Sequence, residues 1–285
     1  MIFISTGGRR DKSAFNTAMD FYRHGICHVE LSGGLHSDEF RADLESTPDD
    51  LILQIHNYFP PPAAPFVFNL ASDTLDISEL SINLARSAIQ IASRLDRPIY
   101  SFHAGFRINP TANELGRKLV ARELMSRTLA LEIFIERVLM LAKEAESLGV
   151  RLMIENNVIT RFNFSNFGED PLLLTFPEEI ITVMKEMPKN VGLLLDVAHL
   201  KVSSNTLDFD LIDGHERLKP WIQGYHLSDN NGQADSNDPV TSASWFWRHL
   251  VRNLDYYTLE VYGVSTQELC DQQLFTKEML VDREI

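Results

Sequence analysis

The sequence has few cysteines, no long apolar run and a shortage of positive charge. Two of its 285 residues are cysteine, which excludes a small domain held by several disulfides and favours a reducing compartment. No apolar run reaches the roughly 18 residues of a transmembrane helix, so we expect no membrane association. The N-terminus has neither a basic start nor a small-residue cleavage site, so we expect no signal peptide and a cytoplasmic location.

Basic residues are outnumbered by acidic ones. The chain carries 26 lysines and arginines against 40 aspartates and glutamates, which gives a formal net charge of −14. Proteins that bind nucleic acids usually present a basic face, so this balance argues against a nucleic-acid partner. The chain also lacks a GxGxxG fingerprint after its first predicted strand and a Walker lysine loop, which argues against a nucleotide-binding, doubly wound sheet.

Short β-type runs alternate with helical patterns along the whole chain. We predict eight strands, at 2–6, 26–32, 51–57, 98–104, 150–156, 191–197, 221–228 and 256–262. Helical patterns separate nearly all of them, including 14–24, 77–95, 113–148, 208–218, 244–253 and 266–280, while 157–176 is predicted to be a long loop. Eight strand–helix units in 285 residues predict a (β/α)₈ barrel, an α/β fold that spans 1–285 as one domain.

Polar side chains interrupt the apolar strands near their carboxyl ends. The acidic and histidine residues at or just after these ends are His56, His103, Glu155, Asp196, His199, His226 and Glu260. In a barrel these ends converge on the face where active sites lie. Taken singly, such a histidine or glutamate is more often a hydrogen-bonded or ion-paired structural residue. The convergence of seven on one face is what favours a functional site.

Three of these residues are carboxylates, and burying them together is very unfavourable unless a positive charge neutralises them. We therefore predict a divalent cation, bound by Glu155, Asp196, His226 and Glu260. Three oxygen ligands and one nitrogen favour Mn²⁺, Co²⁺ or Mg²⁺, with Zn²⁺ as an alternative. Without cysteine thiolates, a closed structural zinc site is not expected.

The motifs that carry these residues resemble those of the xylose-isomerase-like TIM barrels. They occur in the order QIHNYFP, SFHAG, IENN, LLDVAHL, GYHLSDNNG and LEVYG, and the resemblance covers almost the whole chain. The superfamily includes sugar and sugar-phosphate isomerases and epimerases, inosose dehydratases and the family 2 apurinic/apyrimidinic (AP) endonucleases. The motifs together indicate the superfamily but do not choose a member within it.

The resemblance implies roles for individual residues. In the isomerase and epimerase branch, the residues that match the four predicted ligands bind one divalent metal. The two glutamates, here Glu155 and Glu260, also transfer a proton at the substrate carbon. His199 would lie beside the metal and hydrogen-bond a substrate oxygen or a metal-bound water. A small sugar or sugar phosphate is the expected partner, and the resemblance is compatible with a homo-oligomer.

The other branches remain as alternatives. The endonuclease branch uses three zinc ions and an Asp-x-His after the seventh strand, where this chain has Asp235-Ser236-Asn237. His56 and His103 with Glu155 could still hold a second metal, or instead contact the substrate. The ketose 3-epimerases carry an arginine in the seventh-strand loop that is absent from residues 229–232. A dehydratase of an inosose-like substrate and a non-catalytic sugar-binding barrel complete the alternatives.

Substrate anchoring rests on fewer observations. Arg107 follows the fourth strand and Arg161 lies in the fifth loop, where a guanidinium could hold a phosphate or carboxylate. Arg9 and Arg10, after the first strand, are further candidates. Glu30 ends the second strand and is expected either to bind a sugar hydroxyl or to pair with one of these arginines.

Overall fold

Eight parallel strands form a closed barrel in the computed structural model, which describes residues 1–281. The strands pair in chain order, and the last strand pairs with the first. They are β1 (Ile2–Ser5), β2 (His28–Ser32), β3 (Ile52–His56), β4 (Ile99–His103), β5 (Arg151–Glu155), β6 (Val191–Asp196), β7 (Ile222–Leu227) and β8 (Tyr257–Leu259). The predicted (β/α)₈ barrel is confirmed.

Helices lie between the strands. They are α1 (Ala14–Arg23), α2 (Phe40–Glu45), α3 (Leu75–Ala92), α4 (Arg127–Ser147), α5 (Arg161–Phe167), α6 (Pro177–Glu186), α7 (Val197–Leu207), α8 (Leu211–Leu218) and α9 (Thr266–Val281). Single 3₁₀ turns form at Ala112–Glu114 and Lys219–Trp221. No helix within residues 1–281 is both long enough and apolar enough to cross a membrane.

The core lies mainly between the strands and the helices that cover them. Helix α4 shows the pattern: Phe134, Val138 and Leu141 are fully buried and lie on one face because they are three or four residues apart. Strand β6 is buried along its whole length, as expected for a parallel strand with the barrel interior on one side and helices on the other.

Some predicted helices differ from the observed ones. The predicted helix at 113–148 starts only at Arg127, because Gly116 adopts a positive φ of 70° and Ser126 caps the helix by accepting a hydrogen bond from Leu129 N at 3.2 Å. The predicted helix at 244–253 is instead a series of turns. Its end is fixed by Asn253, with a φ of 63°, and by the hydrogen bond from Val251 N to the Tyr225 hydroxyl.

Two helices were not predicted. Helix α5 lies within the segment 157–176 that was predicted to be a loop, and α7 follows β6 without any loop. Eight of the eleven residues of α7 are buried, so the helix has no clear polar face and lacks the amphipathic pattern that reveals a surface helix.

Candidate active site

The four predicted metal ligands meet at the carboxyl end of the barrel. Glu155 and Asp196 are the last residues of β5 and β6, His226 is the penultimate residue of β7, and Glu260 directly follows β8. All four residues are buried. One side-chain ligand atom from each lies within 4.8 Å of the corresponding atoms of the other three. We call these four residues the ligand set.

The ligand set fits a divalent cation. His226 Nδ1 is 2.9 Å from Glu155 Oε1 and 3.6 Å from Glu260 Oε2. Among residues 1–281, nothing donates a hydrogen bond to Glu155 Oε2 or to Asp196 Oδ2, although both atoms are fully buried. Leaving buried carboxylate oxygens without a partner is costly. A cation would supply the positive charge that these oxygens lack.

Asp196 is held by the backbone at the start of α7. Its Oδ1 accepts a hydrogen bond from His199 N at 2.7 Å, so the side chain caps the helix. Asn156 fixes the same strand end, because its Oδ1 accepts from Asp196 N at 2.8 Å and its Nδ2 donates to Asp196 O at 3.2 Å. These bonds leave Asp196 Oδ2 buried without a hydrogen-bond partner among the described residues.

Glu260 is held by two hydroxyl groups. Ser5 Oγ donates to Glu260 Oε1 at 3.1 Å, and the Tyr262 hydroxyl donates to the same oxygen at 3.2 Å. Burial, together with the neighbouring carboxylates, raises the pKa of Glu260 to about 8 in the metal-free site, against the opposing charge of His226.

Glu30 lies inside the barrel and not at the cavity. Its side chain is fully buried, and its Oε2 accepts hydrogen bonds from Gln54 Nε2, the Tyr256 hydroxyl, Thr258 Oγ1 and His226 Nε2 at 2.6–3.3 Å. Burial opposes the ionisation of Glu30, but the charge and hydrogen bond of His226 outweigh it, and the pKa is lowered to about 2. The structure thus does not bring Glu30 to a position where it would contact a sugar or a loop arginine.

His56 and His103 lie next to Glu155. His56 Nε2 is 3.3 Å and His103 Nδ1 is 3.1 Å from Glu155 Oε2, and the three residues form a second group that could hold a metal. Burial lowers the pKa of both histidines, against the charge of Glu155, to about 3 for His56. Neutral imidazoles can bind a metal or hydrogen-bond a substrate.

His199 connects the ligand set to the loop after β7. Its Nδ1 is 2.8 Å from Asn156 O, and its Nε2 is 3.2 Å from Asp235 Oδ2 and 3.7 Å from Asp196 Oδ2. Burial opposes the protonation of His199, but the charges of Asp196 and Asp235 dominate and raise its pKa well above the usual value. In the sequence, Asp235 stood out only as part of an incomplete motif.

A cavity of about 720 Å³ opens onto this group. His56, His103, His199, Asp235 and Glu260 line it, so the structure brings the predicted histidines and one predicted glutamate to a common space. The loops after β3, β4 and β5 supply an apolar lining, formed in part by Tyr58, Phe66, Phe68, Phe106 and Phe162. Such a combination of apolar walls and a few polar groups is typical of a small-molecule site.

The predicted substrate arginines do not line this cavity. Arg107 is buried and donates to Glu169 Oε2 at 2.6 Å and to Asp170 O at 2.8 Å, so it fixes a loop. Arg161 donates to Asn205 O at 2.7 Å. The arginines that do line the cavity are Arg10 and Arg117. Arg10 was an open candidate in the sequence, whereas nothing in the sequence singled out Arg117.

Comparison with known families agrees with the fold. Residues 15–256 match the family model described as "Xylose isomerase-like TIM barrel". The chain belongs to this family. No curated protein sequence matches the chain.

Solved structures of similar proteins share the barrel along its whole length. A D-tagatose 3-epimerase-like protein is 17% identical with a TM-score of 0.70, and the match covers 98% of this chain and 96% of that chain. A D-psicose 3-epimerase in the presence of D-fructose is 14% identical with a TM-score of 0.66, and the match covers 99% of both chains. The TTHB071 protein from Thermus thermophilus, soaked with ZnCl₂, is 20% identical with a TM-score of 0.62, covering 97% and 98%. At these identities the likeness establishes the fold.

Proposed function

We propose that this member of the family is a divalent-metal-dependent isomerase or epimerase of a sugar or sugar phosphate. The observation that carries the proposal is the pair of buried glutamates, Glu155 and Glu260, which lie 2.9 and 3.6 Å from His226 Nδ1, with Glu260 lining the cavity. Support also comes from the related structures described as sugar 3-epimerases. No such neighbour identifies the substrate of this chain.

The ligand set would hold the metal, and Glu155 and Glu260 would also move the proton. A bound divalent cation would polarise the oxygens of a sugar and so make the hydrogen on the adjacent carbon more acidic. One glutamate then removes that proton from the carbon. The other glutamate delivers a proton to the same carbon from the opposite face in an epimerisation. In an isomerisation, a proton is added to the neighbouring carbon while the hydroxyl proton of one substrate oxygen moves to the other.

Other residues around the cavity would orient the sugar. His103 lines the cavity and would hydrogen-bond a sugar hydroxyl. His199 also lines it, and since Asn156 O and Asp235 Oδ2 already occupy its two ring nitrogens, a sugar hydroxyl would have to displace or share the contact with Asp235. Ser5 and Tyr262 keep Glu260 in place during proton transfer. The aromatic residues of the lining would exclude water from the reacting carbon.

The test is an activity screen with two variants. The purified protein is loaded with Mn²⁺, Co²⁺, Mg²⁺ or Zn²⁺ and incubated in D₂O with a panel of ketoses, aldoses and their phosphates. We expect deuterium at the carbon beside the carbonyl, and a drop in kcat of roughly 10²-fold or more for Glu155→Gln and for Glu260→Gln. Glu132→Gln, an exposed residue of α4, should retain wild-type activity. Unchanged turnover in both site variants would refute the assignment.

Product analysis separates the related alternatives. A dehydratase would begin with the same proton removal but would release a product lighter by one water. An endonuclease would need the second group formed by His56, His103 and Glu155, and the position where that branch carries a histidine is Asn237 at the cavity. Nicking of an abasic DNA duplex by metal-loaded protein would favour that alternative, whereas one metal ion per chain would count against it.

A further inference from the structure

A buried carboxylate lies beneath the ligand set and contacts one of its members. We propose that Glu30 is a positioning residue. It accepts a hydrogen bond from His226 Nε2–H and thereby leaves Nδ1 of that histidine unprotonated and oriented to the metal. This inference rests on the metal dependence proposed above. It assigns to Glu30 a function different from the substrate contact that the sequence predicted.

The two ring nitrogens of His226 have separate environments. Nε2 is 3.2 Å from Glu30 Oε1 and 3.3 Å from Glu30 Oε2. Nδ1, on the other side of the ring, is 2.9 Å from Glu155 Oε1 and 3.6 Å from Glu260 Oε2. In an imidazole ligand, the hydrogen bond made by one nitrogen fixes which nitrogen is free to bind the metal. Here that hydrogen bond leads to Glu30.

Glu30 is itself fixed by donors from three directions. Gln54 Nε2 donates to its Oε2 at 2.9 Å, the Tyr256 hydroxyl at 2.6 Å and Thr258 Oγ1 at 3.1 Å. All of these side chains are fully buried. Since none of these donors is part of the ligand set, they hold the carboxylate in one orientation whether or not a metal is bound.

The register of the barrel explains why these groups meet. Glu30 pairs with Ser5 of β1 and with Gln54 of β3, while Thr258 pairs with His226. Inward-pointing residues of a barrel form layers across its interior. A carboxylate in such a layer is costly to bury unless it is paired and fully hydrogen-bonded. The contact with His226 therefore pairs the buried charge of Glu30, and it also allows Glu30 to orient a member of the ligand set.

The amide variant tests this inference. In Glu30→Gln, the three donors keep the amide oxygen at the position of Oε2, so the amide NH₂ takes the place of Oε1, 3.2 Å from His226 Nε2, while the oxygen that accepts from Nε2 loses its negative charge. Both changes weaken the preference for a proton on Nε2, and a proton on Nδ1 would block the nitrogen that the metal needs. We expect Glu30→Gln to weaken binding of Mn²⁺ and Zn²⁺ by about 10- to 100-fold, measured by competition with a chromophoric chelator, with the number of metal ions per chain unchanged.

Tyr257→Phe is the matched control. It removes one hydrogen bond from the same strand, to Val251 O at 2.7 Å on the helix side of β8, and leaves Glu30, its donors and His226 untouched, so its metal affinity should stay within about threefold of wild type. Thermal unfolding of the metal-free variants shows whether both fold. If Glu30→Gln does not fold, Glu30→Asp replaces it, because the shorter carboxylate keeps its charge but lies farther from Nε2. An intermediate loss of affinity is then expected.

A spectroscopic measurement separates positioning from a general structural effect. In the Zn²⁺-loaded protein with ¹⁵N-labelled histidine, the His226 proton should appear on Nε2 at a downfield shift, and Glu30→Gln should move that proton upfield. If Glu30→Gln has wild-type metal affinity and an unchanged chemical shift, the positioning role of Glu30 is refuted, while the proposed metal dependence still stands. If Glu30→Gln binds one metal ion fewer per chain than the wild type, Glu30 is a metal ligand and the positioning role is refuted. If the wild-type protein binds no divalent metal, the proposed metal dependence fails first.

Discussion

Glu260 is hydrogen-bonded by a tyrosine two residues further along the chain. The Tyr262 hydroxyl contacts Glu260 Oε1, and its ring packs so closely on the turn after β1 that a side chain on Gly7 or Gly8 would overlap it. The glycine pair therefore does more than form a turn, which is the only role that the sequence indicates. It also leaves the space that Tyr262 occupies.

Tyr262→Phe should reduce activity more than a substitution elsewhere that costs the same stability. The variant removes one hydrogen bond to Glu260, so kcat should fall by roughly tenfold, while the free energy of unfolding should fall by about 1 kcal/mol. Tyr257→Phe is the control, since it loses a comparable bond, to Val251 O at 2.7 Å, on the helix side of β8. Equal activity losses in the two variants would show that Tyr262 contributes only to stability.

Individual residues differ in how well the sequence predicts them. The ligand set could be predicted because each of its members lies at a strand end and parallel strands bring those ends together. The network around Glu30 could not, since it depends on the register of strands far apart in the sequence. Arg107 illustrates a third case. Its place in a loop suggested a substrate contact, but the path of the loop buries it against Glu169 and Asp170.

At the scale of elements, the junction between β6 and α7 combines a proposed metal ligand with a helix cap. Asp196 ends the strand, caps the helix through Oδ1 and is a member of the ligand set. This junction could not be read from the sequence as a helix start, because α7 is buried on most sides. The boundaries of α1, α3 and α9 were predicted within a few residues, since each shows an apolar stripe or clear turn residues at its ends.

Two substitutions of Asp196 should separate these functions. Asp196→Asn and Asp196→Ala should both weaken metal binding by at least tenfold, because both remove the charged ligand. Only the alanine variant loses the cap, so its metal-free form should be less stable than that of the asparagine variant by about 1 kcal/mol. Both variants also relieve the repulsion between Asp196 and the charges of Glu155 and Asp235. This effect cancels when the stabilities of the two variants are compared. Equal stabilities by urea unfolding would exclude the capping role.

The prediction of helix boundaries was wrong where tertiary contacts, and not local sequence signals, determine the backbone conformation. Between Ala112 and Arg127 the chain has helical composition, yet its backbone is bound by α5. Asn163 Oδ1 accepts from Leu119 N at 2.9 Å, and Asn166 Nδ2 donates to Leu119 O at 2.8 Å. Hydrogen bonds of this kind replace those of a helix, and no periodic pattern encodes them. The same segment supplies Leu115, Arg117 and Leu119 to the cavity.

At the scale of the whole molecule, some of the excess acidic residues are buried inside the fold. Besides the site carboxylates, Asp170 is buried in the loop that leads to α6. Burial raises its pKa to about 6, although the Thr175 hydroxyl, the charge of Arg127 and the hydrogen bond from Leu172 N oppose the shift. Part of the negative charge is therefore buried at a cost in stability, in addition to the solvated charge on the surface.

Asp170 should make stability fall as the pH rises. The folded chain keeps a proton on Asp170 up to about pH 6, whereas the unfolded chain releases it near pH 3.8. The contribution is therefore fully present below pH 3.8 and is lost as the pH rises through 6, by about 3 kcal/mol in total. Asp170→Asn should remove this slope from the free energy of unfolding measured between pH 4 and 7. An identical slope in the variant would contradict the assignment.

The ligand set should also link the stability of the whole barrel to metal. Its members come from β5, β6, β7 and the end of β8, so a cation bound to all four joins half of the barrel. Metal at 100 times its dissociation constant would stabilise the folded chain by about 2.7 kcal/mol, which corresponds to a rise in Tm of roughly 5–10 °C. The measurement is thermal unfolding with excess chelator and with added Mn²⁺.

Asp196→Asn is the matched control for this experiment, because it keeps the helix cap and, with binding at least tenfold weaker, should lose at least about half of the rise in Tm. Removing a like charge beside Glu155 and Asp235 should at the same time leave its metal-free form at least as stable as the metal-free wild type. The wild-type site is then less stable than it could be when empty, because its carboxylates are arranged for a cation. A wild-type Tm that is equal with chelator and with Mn²⁺ would instead mean that these carboxylates do not bind the metal.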